Sequence, residues 1–169
     1  MLGSIVPSSR FLMNRVLKQI DWKRGRIFIE YGPGVGNFTT EILKRMRPDA
    51  TLIVFEMNGE FADFLRSSIQ DPRLHVVHGS AAGVQIKLQG LGWKHADYVL
   101  SGIPFSTMPC EIRDEILVVT RTALCPNGAF LVYQFSPSVL PHLQSAFARI
   151  ERDFELLNVL PAHLFYCRH

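Results

Sequence analysis

The stretch Glu30-Tyr31-Gly32-Pro33-Gly34-Val35-Gly36 decides the fold class of this chain. The apolar run 27–29 comes directly before it, and residues 37–46 after it carry apolar side chains at helical spacing. A strand, a glycine-rich turn and a helix in this order begin the βαβ unit of a nucleotide-binding α/β domain. Glycines in the turn allow positive φ angles and a close approach of the backbone to a ligand. The stretch therefore predicts a nucleoside-cofactor site at the first strand-to-helix turn of a parallel sheet.

The rest of the chain continues the alternation of strands and helices. Strands are predicted at 26–31, 51–56, 74–77, 98–100 and 129–135, with helices at 37–46, 60–69, 109–123 and 139–150. Two further strands are predicted at 154–159 and 163–167, and because their connection is short the last strand should run antiparallel. We therefore predict an α/β fold with a Rossmann-like, doubly wound, mostly parallel seven-stranded sheet, its last strand antiparallel, and helices on both faces.

Length and composition are those of one globular domain. The chain has 169 residues, of which 47% are hydrophobic and 20% are charged. No apolar run approaches the ~20 residues of a membrane span. The histidines and cysteines show no metal-ligand spacing. We therefore expect a single domain over residues 1–169, located in the cytoplasm and without a metal.

Positive charge is concentrated at the start of the chain. The net charge is +3, but residues 1–26 hold six basic side chains against one acid, which leaves residues 27–169 at −2. The predicted helix 8–20 carries its basic side chains opposite an apolar stripe. Such a segment either packs over the cofactor site with a solvated charged face or binds an anionic membrane surface. We expect the basic amphipathic segment 1–25 to do both, which implies peripheral membrane association.

Two carboxylates distinguish between the possible nucleoside cofactors. The glycine spacing is GxGxG rather than the GxGxxG of dinucleotide-binding turns, where the helix N-terminus receives a pyrophosphate. Glu30 beside the turn would repel a pyrophosphate, but it suits the ammonium group of S-adenosylmethionine, which has no phosphate. Glu56 ends the second strand, where a carboxylate accepts hydrogen bonds from both ribose hydroxyls. These residues favour S-adenosylmethionine, with S-adenosylhomocysteine as the product, over a dinucleotide.

Together with the antiparallel last strand, residues 30–36 and Glu56 resemble the class I S-adenosylmethionine-dependent methyltransferases. In that family an acidic and a small residue after the third strand hold the adenine, and His78-Gly79-Ser80-Ala81 stands at the matching positions. Ser80 replaces the common Asp, although its hydroxyl could still bond to the adenine amino group. The cofactor-binding residues that we expect from this pattern are Glu30, Tyr31, Gly32, Gly34, Gly36, Asn37, Glu56, Met57, Ser80, Ala81 and Ser101.

The turn Ser101-Gly102-Ile103-Pro104-Phe105 follows the fourth strand, where the methyl group should meet its acceptor. Transfer to an amine is an in-line displacement that needs a neutral amine about 3 Å from the methyl carbon. Similar turns that begin with Asn or Asp occur in N6-adenine methyltransferases and ribosomal RNA adenine dimethylases. Ser101 departs from them, and its hydroxyl orients a nucleobase amine less well than an Asn or Asp side chain would. We expect Ser101, Pro104 and Phe105 to form the catalytic turn.

The same turn, the opening 3–10 (GSIVPSSR) and the ending 158–166 together resemble bacterial phospholipid N-methyltransferases along nearly the whole chain. That resemblance implies sequential methylation of the amine of phosphatidylethanolamine to give phosphatidylcholine, with an anionic membrane surface as a partner. Three alternatives stay open: a ribosomal RNA or nucleobase adenine N-methyltransferase, a methyltransferase of another small molecule, and a non-catalytic cofactor-binding domain. Nucleic acid is the less favoured partner because residues 27–169 are net negative.

Overall fold

The computed structural model describes residues 8–169 and centres on one seven-stranded sheet. The strands are β1 (Ile27–Tyr31), β2 (Thr51–Glu56), β3 (Leu74–His78), β4 (Ala96–Ser101), β5 (Leu124–Gln134), β6 (Arg149–Glu155) and β7 (Ala162–Arg168). The helices are α1 (Arg10–Leu17), α2 (Asn37–Arg45), α3 (Gly59–Ser68), α4 (Val84–Gly90), α5 (Cys110–Ala123) and α6 (Leu140–Ala146). Residues 3–7 of the opening motif, and with them the first part of segment 1–25, lie outside the described residues.

The order of the strands in the sheet is β3-β2-β1-β4-β5-β7-β6. Strands β1 to β5 pair with one another in parallel. Strand β7 lies between β5 and β6 and is antiparallel to both. The β6–β7 connection, residues 156–161, is too short for a parallel crossover, so the chain turns back directly beside β6. The predicted mostly parallel sheet with an antiparallel last strand is confirmed.

Several boundaries in the second half of the chain differ from the prediction, most of all those of α6 and β6. The helix predicted over 139–150 ends at Ala146, and β6 begins at Arg149 rather than at residue 154. Strand β6 forms an edge of the sheet and most of its side chains are exposed, so it lacks the apolar pattern of a buried strand. Helix α4 leaves little signal in the sequence, because glycines flank it and its only buried residues are Val84 and Leu88.

Helices cover both faces of the sheet. On one face α1, α2 and α3 bury an apolar cluster, and on the other face α4, α5 and α6 bury a second one. The first cluster includes Leu12, Ile42 and Leu65, and the second includes Leu88, Leu117 and Leu143. Each fully buried side chain of this kind contributes roughly 2 kcal/mol through the burial of apolar surface. In residues 8–169 no helix has the length and apolar character needed to cross a bilayer.

The ends of the parallel strands meet at one edge of the sheet, here called the carboxyl edge. Tyr31, Glu56, Ser101 and Gln134 are the last residues of β1, β2, β4 and β5, which all run in the same direction. Strand β7 runs the opposite way and its His163 pairs with Gln134, so the β6–β7 loop also lies at the carboxyl edge. Open α/β sheets bind their ligands beyond this edge.

Helix α1 is fixed to β6 and the following loop by polar contacts. Ser9 caps the helix, and its backbone N–H donates a hydrogen bond to Asn158 Oδ1 at 2.8 Å. Arg15 Nε lies 2.7 Å from a carboxylate oxygen of Glu155, and Arg15 Nη1 lies 3.1 Å from one of Asp153. At least three of the six basic side chains of the front segment form ion pairs among the described residues, namely Arg15, Arg24 and Arg26. These ion pairs reduce the positive charge that the segment can offer to a membrane.

Candidate cofactor and acceptor site

The turn 32–36 between β1 and α2 contains three glycines in the left-handed region of backbone space. The angle φ is +69° at Gly32, +55° at Gly34 and +85° at Gly36, values that residues with a Cβ rarely adopt. A Cβ at Gly32 would lie 2.7 Å from the side chain of Ile103, and one at Gly36 would lie 2.6 Å from that of Leu65. No heavy atom lies within 4 Å of the Cβ position at Gly34. The turn is therefore tightly packed at both ends and open beside Gly34.

Glu30 is a buried carboxylate close to this turn, with only 3% of its surface exposed. The hydroxyl of Thr39 in α2 donates a hydrogen bond to Glu30 Oε2 at 2.6 Å. Burial raises the pKa of Glu30 to about 7; the hydrogen bond from Thr39 opposes this rise, and the charge of Glu56 adds to it. Glu30 therefore binds a proton near neutral pH unless a cationic group lies beside it.

Glu56 joins the end of β2 to the glycine turn. Its Oε2 accepts a hydrogen bond from the backbone N–H of Gly34 at 3.1 Å, and its Oε1 accepts one from the N–H of Asn58 at 2.8 Å. Each carboxylate oxygen keeps a further lone pair, so the side chain can still accept a hydroxyl of a ligand. With Glu30, it gives the turn two buried carboxylates. Such a pair attracts a cationic ligand and repels a pyrophosphate.

Three more of the predicted cofactor residues border the turn in different ways. The ring of Tyr31 points into the second apolar cluster, where its hydroxyl lies 3.0 Å from that of Thr120. Only the backbone of Tyr31 therefore faces the turn, and a cofactor contact by its side chain does not fit this structure. Asn37 is the first residue of α2, and Met57 is 69% exposed directly after β2.

Ser80 and Ala81 lie where β3 ends. The hydroxyl of Ser80 accepts a hydrogen bond from the backbone N–H of Ala82 at 3.1 Å and so caps a short 3₁₀ turn that begins at Ala81. A cleft of about 440 Å³ opens between Ser80 and helix α4. Its volume lies within the range of small-molecule pockets. Ser80 lines this cleft, whereas Ala81 is only 6% exposed and belongs to the second apolar cluster.

The turn 101–105 lies next to the glycine turn at the carboxyl edge. The backbone N–H of Gly102 donates a hydrogen bond to the carbonyl oxygen of Tyr31 at 3.2 Å. Ser101 is fully buried, and its Oγ has no hydrogen-bond partner among the described residues. Because buried hydroxyl groups are nearly always paired, this atom is suited to a polar group of a ligand. Pro104 is exposed at the rim of the turn.

The ring of Phe105 does not face this site. It is fully buried and packs edge-on against Phe130, with the ring centroids 6.3 Å apart. The expectation that Phe105 meets the acceptor is therefore wrong for its ring. Its backbone N–H donates to Gln134 Oε1 at 3.2 Å, and Gln134 Nε2 donates to the carbonyl oxygen of Ile103 at 2.7 Å. Gln134 is not among the predicted site residues. The sequence indicates it only as a polar residue near the end of an apolar strand.

Tyr133 is a second residue whose place the sequence pattern does not reveal. Its ring stacks on Phe38 with the centroids 5.1 Å apart, and a Cβ at Gly102 would collide with its hydroxyl. Burial and the charge of Glu30 raise the pKa of Tyr133, although a hydrogen bond with Ser8 opposes the rise. Tyr133 therefore brings a protonated, neutral hydroxyl to the turn 101–105, and only glycine at position 102 leaves room for it.

One cavity of the described residues lies away from both turns. Its volume is about 750 Å³ and its lining includes His95, Arg121, His142 and His169. These residues lie at the opposite edge of the sheet, where β4 and β5 begin and β7 ends. No group of three His, Cys, Asp or Glu side chains in the described part of the chain is arranged to hold a metal ion. Neither of the two buried carboxylates at the glycine turn, Glu30 and Glu56, lines this cavity.

Known proteins with similar sequences are methyltransferases. The family model described as ribosomal RNA adenine dimethylase matches residues 3–119. An ornithine lipid N-methyltransferase from Singulisphaera acidiphila is 31% identical, in an alignment that covers 99% of this chain and 88% of that protein.

Solved structures show the same fold at lower identity. A precorrin-6y C5,15-methyltransferase from Geobacter metallireducens has a TM-score of 0.77 at 12% identity, and the match covers 99% of this chain and 92% of that chain. Human methyltransferase-like protein 13, in complex with S-adenosylhomocysteine, has a TM-score of 0.69 at 15% identity, with coverage of 94% and 80%. At these identities the likeness concerns the fold alone.

Proposed function

The chain belongs to the ribosomal RNA adenine dimethylase family and to the class I S-adenosylmethionine-dependent methyltransferases, and from this premise we propose that it methylates the amine of a membrane lipid. Its cofactor is S-adenosylmethionine. The observation that carries the proposal is the likeness, over 99% of the chain, to a lipid N-methyltransferase. Phosphatidylethanolamine, the headgroup expected from the sequence, and the ornithine lipid of the relative are the two candidate acceptors.

The cofactor in this proposal lies along the turn 32–36, where the open space beside Gly34 leaves room for it. Glu30 faces its ammonium group, and Glu56 accepts the ribose hydroxyls. Ser80 lines the cleft beside α4 that takes the adenine end, and the backbone at Ala81 follows it at the end of β3. The buried carboxylates and the unpaired Ser101 Oγ support this assignment, because both need a ligand to balance their charge or polarity. The walls of this cofactor site also include Asn37, Met57 and the backbone of Tyr31.

The acceptor amine binds at the turn 101–105. Bound S-adenosylmethionine supplies an electrophilic methyl group on a sulfonium sulfur. A neutral lipid amine held at this turn would accept that methyl group, the sulfur would keep the electrons of its former bond to the methyl carbon, and the extra proton of the product would pass to water. Ser101 and Tyr133 orient the amine with neutral hydroxyls, and the raised pKa of Tyr133 excludes it as a base near neutral pH. Catalysis is then mainly alignment and exclusion of water.

Two features of the acceptor turn favour a lipid over a nucleobase. Enzymes that act on bases extrude the base and stack it on aromatic or apolar side chains. The ring of Phe105, which could do this in the turn, is buried against Phe130 instead. Ser101 also replaces the Asn or Asp expected for binding an adenine amino group. A flexible primary amine on a lipid headgroup needs neither of these contacts.

Methylation of adenine in ribosomal RNA is the second candidate function. The observation that favours it is the match of the adenine dimethylase family model to residues 3–119, which contain both the glycine turn and the acceptor turn. An RNA substrate would require a broad basic surface. The negative net charge of residues 27–169 and the pairing of Arg15 with Glu155 and Asp153 both reduce that surface.

Mass spectrometry of the lipids tests the proposal and separates the two headgroups. The purified protein is incubated with S-adenosylmethionine and vesicles that contain either phosphatidylethanolamine or ornithine lipid, with pure phosphatidylcholine vesicles as the control without a free amine. We expect methyl groups on the nitrogen of at least one of the two aminolipids and none in the control. Unchanged lipid masses in all vesicles, with S-adenosylmethionine bound by the protein, would refute lipid methylation.

A further inference from the structure

We infer that the β6–β7 loop, residues 156–161, docks this protein onto the surface of a phospholipid bilayer; the inference rests on the lipid-methylating function proposed above. Four of the six loop side chains are large, apolar and exposed. The exposed fractions are 69% for Leu156, 62% for Leu157, 73% for Val159 and 45% for Leu160. Loops at protein surfaces are normally polar, and a contiguous exposed apolar patch marks a contact with a protein or a membrane.

Hydrogen bonds hold the loop in a shape that turns these side chains outward. Asn158, in the middle of the loop, is buried and donates from Nδ2 to the carbonyl oxygen of Leu160 at 3.0 Å. Its Oδ1 accepts from the backbone N–H of Ser9, and the N–H of Leu157 donates to Glu155 at 2.7 Å. These hydrogen bonds tie the loop to the start of α1 and to the end of β6. The exposed leucines are a fixed feature of the surface.

Two aromatic side chains extend this surface. Phe11 is 52% exposed and lies one helical turn before Arg15, which contacts Asp153 and Glu155 of β6. Phe11 therefore lies on the side of α1 that faces β6 and its loop. Phe135, 48% exposed, follows β5 at the carboxyl edge. We call the set of Phe11, Phe135, Leu156, Leu157, Val159 and Leu160 the docking surface.

The docking surface lies on the same edge of the sheet as the acceptor turn. Strands β5 and β7 separate β6 from β4, whose last residue is Ser101. Neighbouring strands are about 4.8 Å apart, which puts the loop roughly 10–15 Å to the side of the acceptor turn. A lipid whose acyl chains stay in the bilayer under the loop could present its headgroup amine to Ser101 without leaving the membrane.

Charge favours a bilayer over a protein partner. The loop connects the ends of two antiparallel strands at the margin of the sheet. Residues 8–15 and 153–163 carry two arginines and two acids, and both acids are bonded to Arg15. No unpaired carboxylate among these residues opposes lipid phosphates, and the exposed Arg10 adds a positive charge at the rim.

Vesicle binding by a loop variant tests this inference. In the double variant Leu156→Ser and Leu157→Ser both side chains are exposed, so the fold is retained. The matched control is Ile112→Ser with Val118→Ser, at 44% and 62% exposure on α5. Sedimentation with phosphatidylethanolamine–phosphatidylcholine vesicles measures binding of the full chain. We expect each leucine lost to lower the partition coefficient by about tenfold, and the control variant to bind like the wild type.

A soluble acceptor separates this inference from the proposed function. We expect the loop variant to methylate a short-chain aminolipid below its micelle concentration at the wild-type rate, while its rate on vesicles falls with vesicle binding. Equal vesicle binding by wild type and loop variant would overturn the docking surface, even if lipids are methylated. Light scattering could also show that the wild type is a dimer and that the loop substitutions dissociate it. That result, without loss of vesicle binding, would also overturn the docking surface. Absence of methylation on both acceptors would instead refute the proposed function.

Discussion

Ionisation of Glu30 should set the pH dependence of both stability and cofactor binding. Its pKa rises from the ordinary value of 4.5 to about 7, mainly through burial. At 1.36 kcal/mol per pKa unit, the ionised form costs the protein about 3 kcal/mol of folding free energy. The native state binds this proton more tightly than the unfolded chain does. The free energy of unfolding of the ligand-free protein should therefore fall as the pH rises from 4.5 to 7. The stability that the bound proton adds to the native state is lost above pH 7.

Cofactor affinity should change in the opposite direction. A cationic ligand favours the ionised carboxylate, so we expect the affinity for S-adenosylmethionine to rise by about tenfold per pH unit below 7 and to level off above it. Calorimetric titration between pH 5.5 and 7.5 measures this, a window in which an α-amino group with its usual pKa near 8 stays largely protonated.

The variant Glu30→Gln isolates the effect, because it removes the charge and keeps an acceptor for Thr39. We expect weaker cofactor binding with little dependence on pH, and a ligand-free protein that is more stable than the wild type above pH 7 by up to about 3 kcal/mol. Glu115→Gln, an exposed glutamate in α5, is the matched control and should change neither quantity. Wild-type affinity that is constant from pH 5.5 to 7.5 would refute the assignment of Glu30 to the cofactor's cationic end.

Three further substitutions test separate parts of the site. Gly34→Val should abolish cofactor binding in calorimetry by filling the open space beside the turn. Gly92→Val is the control, because Gly92 also has a positive φ and nothing near its Cβ position. Both variants should lose a similar free energy of unfolding, roughly 1–2 kcal/mol, but Gly92→Val should still bind the cofactor. Tyr133→Phe should lower kcat about tenfold at unchanged cofactor affinity; an equal loss in Tyr166→Phe, distant from the turn, would argue against orientation of the amine. Asn158→Ala should lower the free energy of unfolding in urea by about 1–3 kcal/mol, since it leaves buried groups unpaired; a loss below about 0.5 kcal/mol would show that the loop is not held by it.

The glycine turn and the course of the sheet are readable from the sequence because they depend on local patterns. Apolar runs, glycine spacing and one short connection between the last two strands define β1, the turn 32–36 and the antiparallel β7. Strand β6 is predicted with shifted bounds, at 154–159 instead of 149–155, because it is an exposed edge. Helix α4 is not predicted because too few of its residues are buried.

The acceptor site is less predictable because it depends on contacts between distant parts of the chain. Which way the ring of Phe105 turns is decided by the packing of Phe130, 25 positions later. The hydroxyl of Tyr133 meets Gly102 only because β5 pairs beside β4. The positive charge of the front segment is likewise reduced by Glu155, which is 140 residues away from Arg15. None of these three contacts has a signature in local spacing.

Competition between lipid and RNA in a single reaction tests the central claim most directly. The protein is incubated with S-adenosylmethionine labelled in its methyl group, vesicles that contain phosphatidylethanolamine and ornithine lipid, and small-subunit ribosomal RNA, and the products are then separated by extraction into organic solvent. A lipid N-methyltransferase predicts that the label moves into the organic phase with the aminolipids. Label that stays in the aqueous phase on RNA, with unlabelled lipids, would contradict lipid methylation.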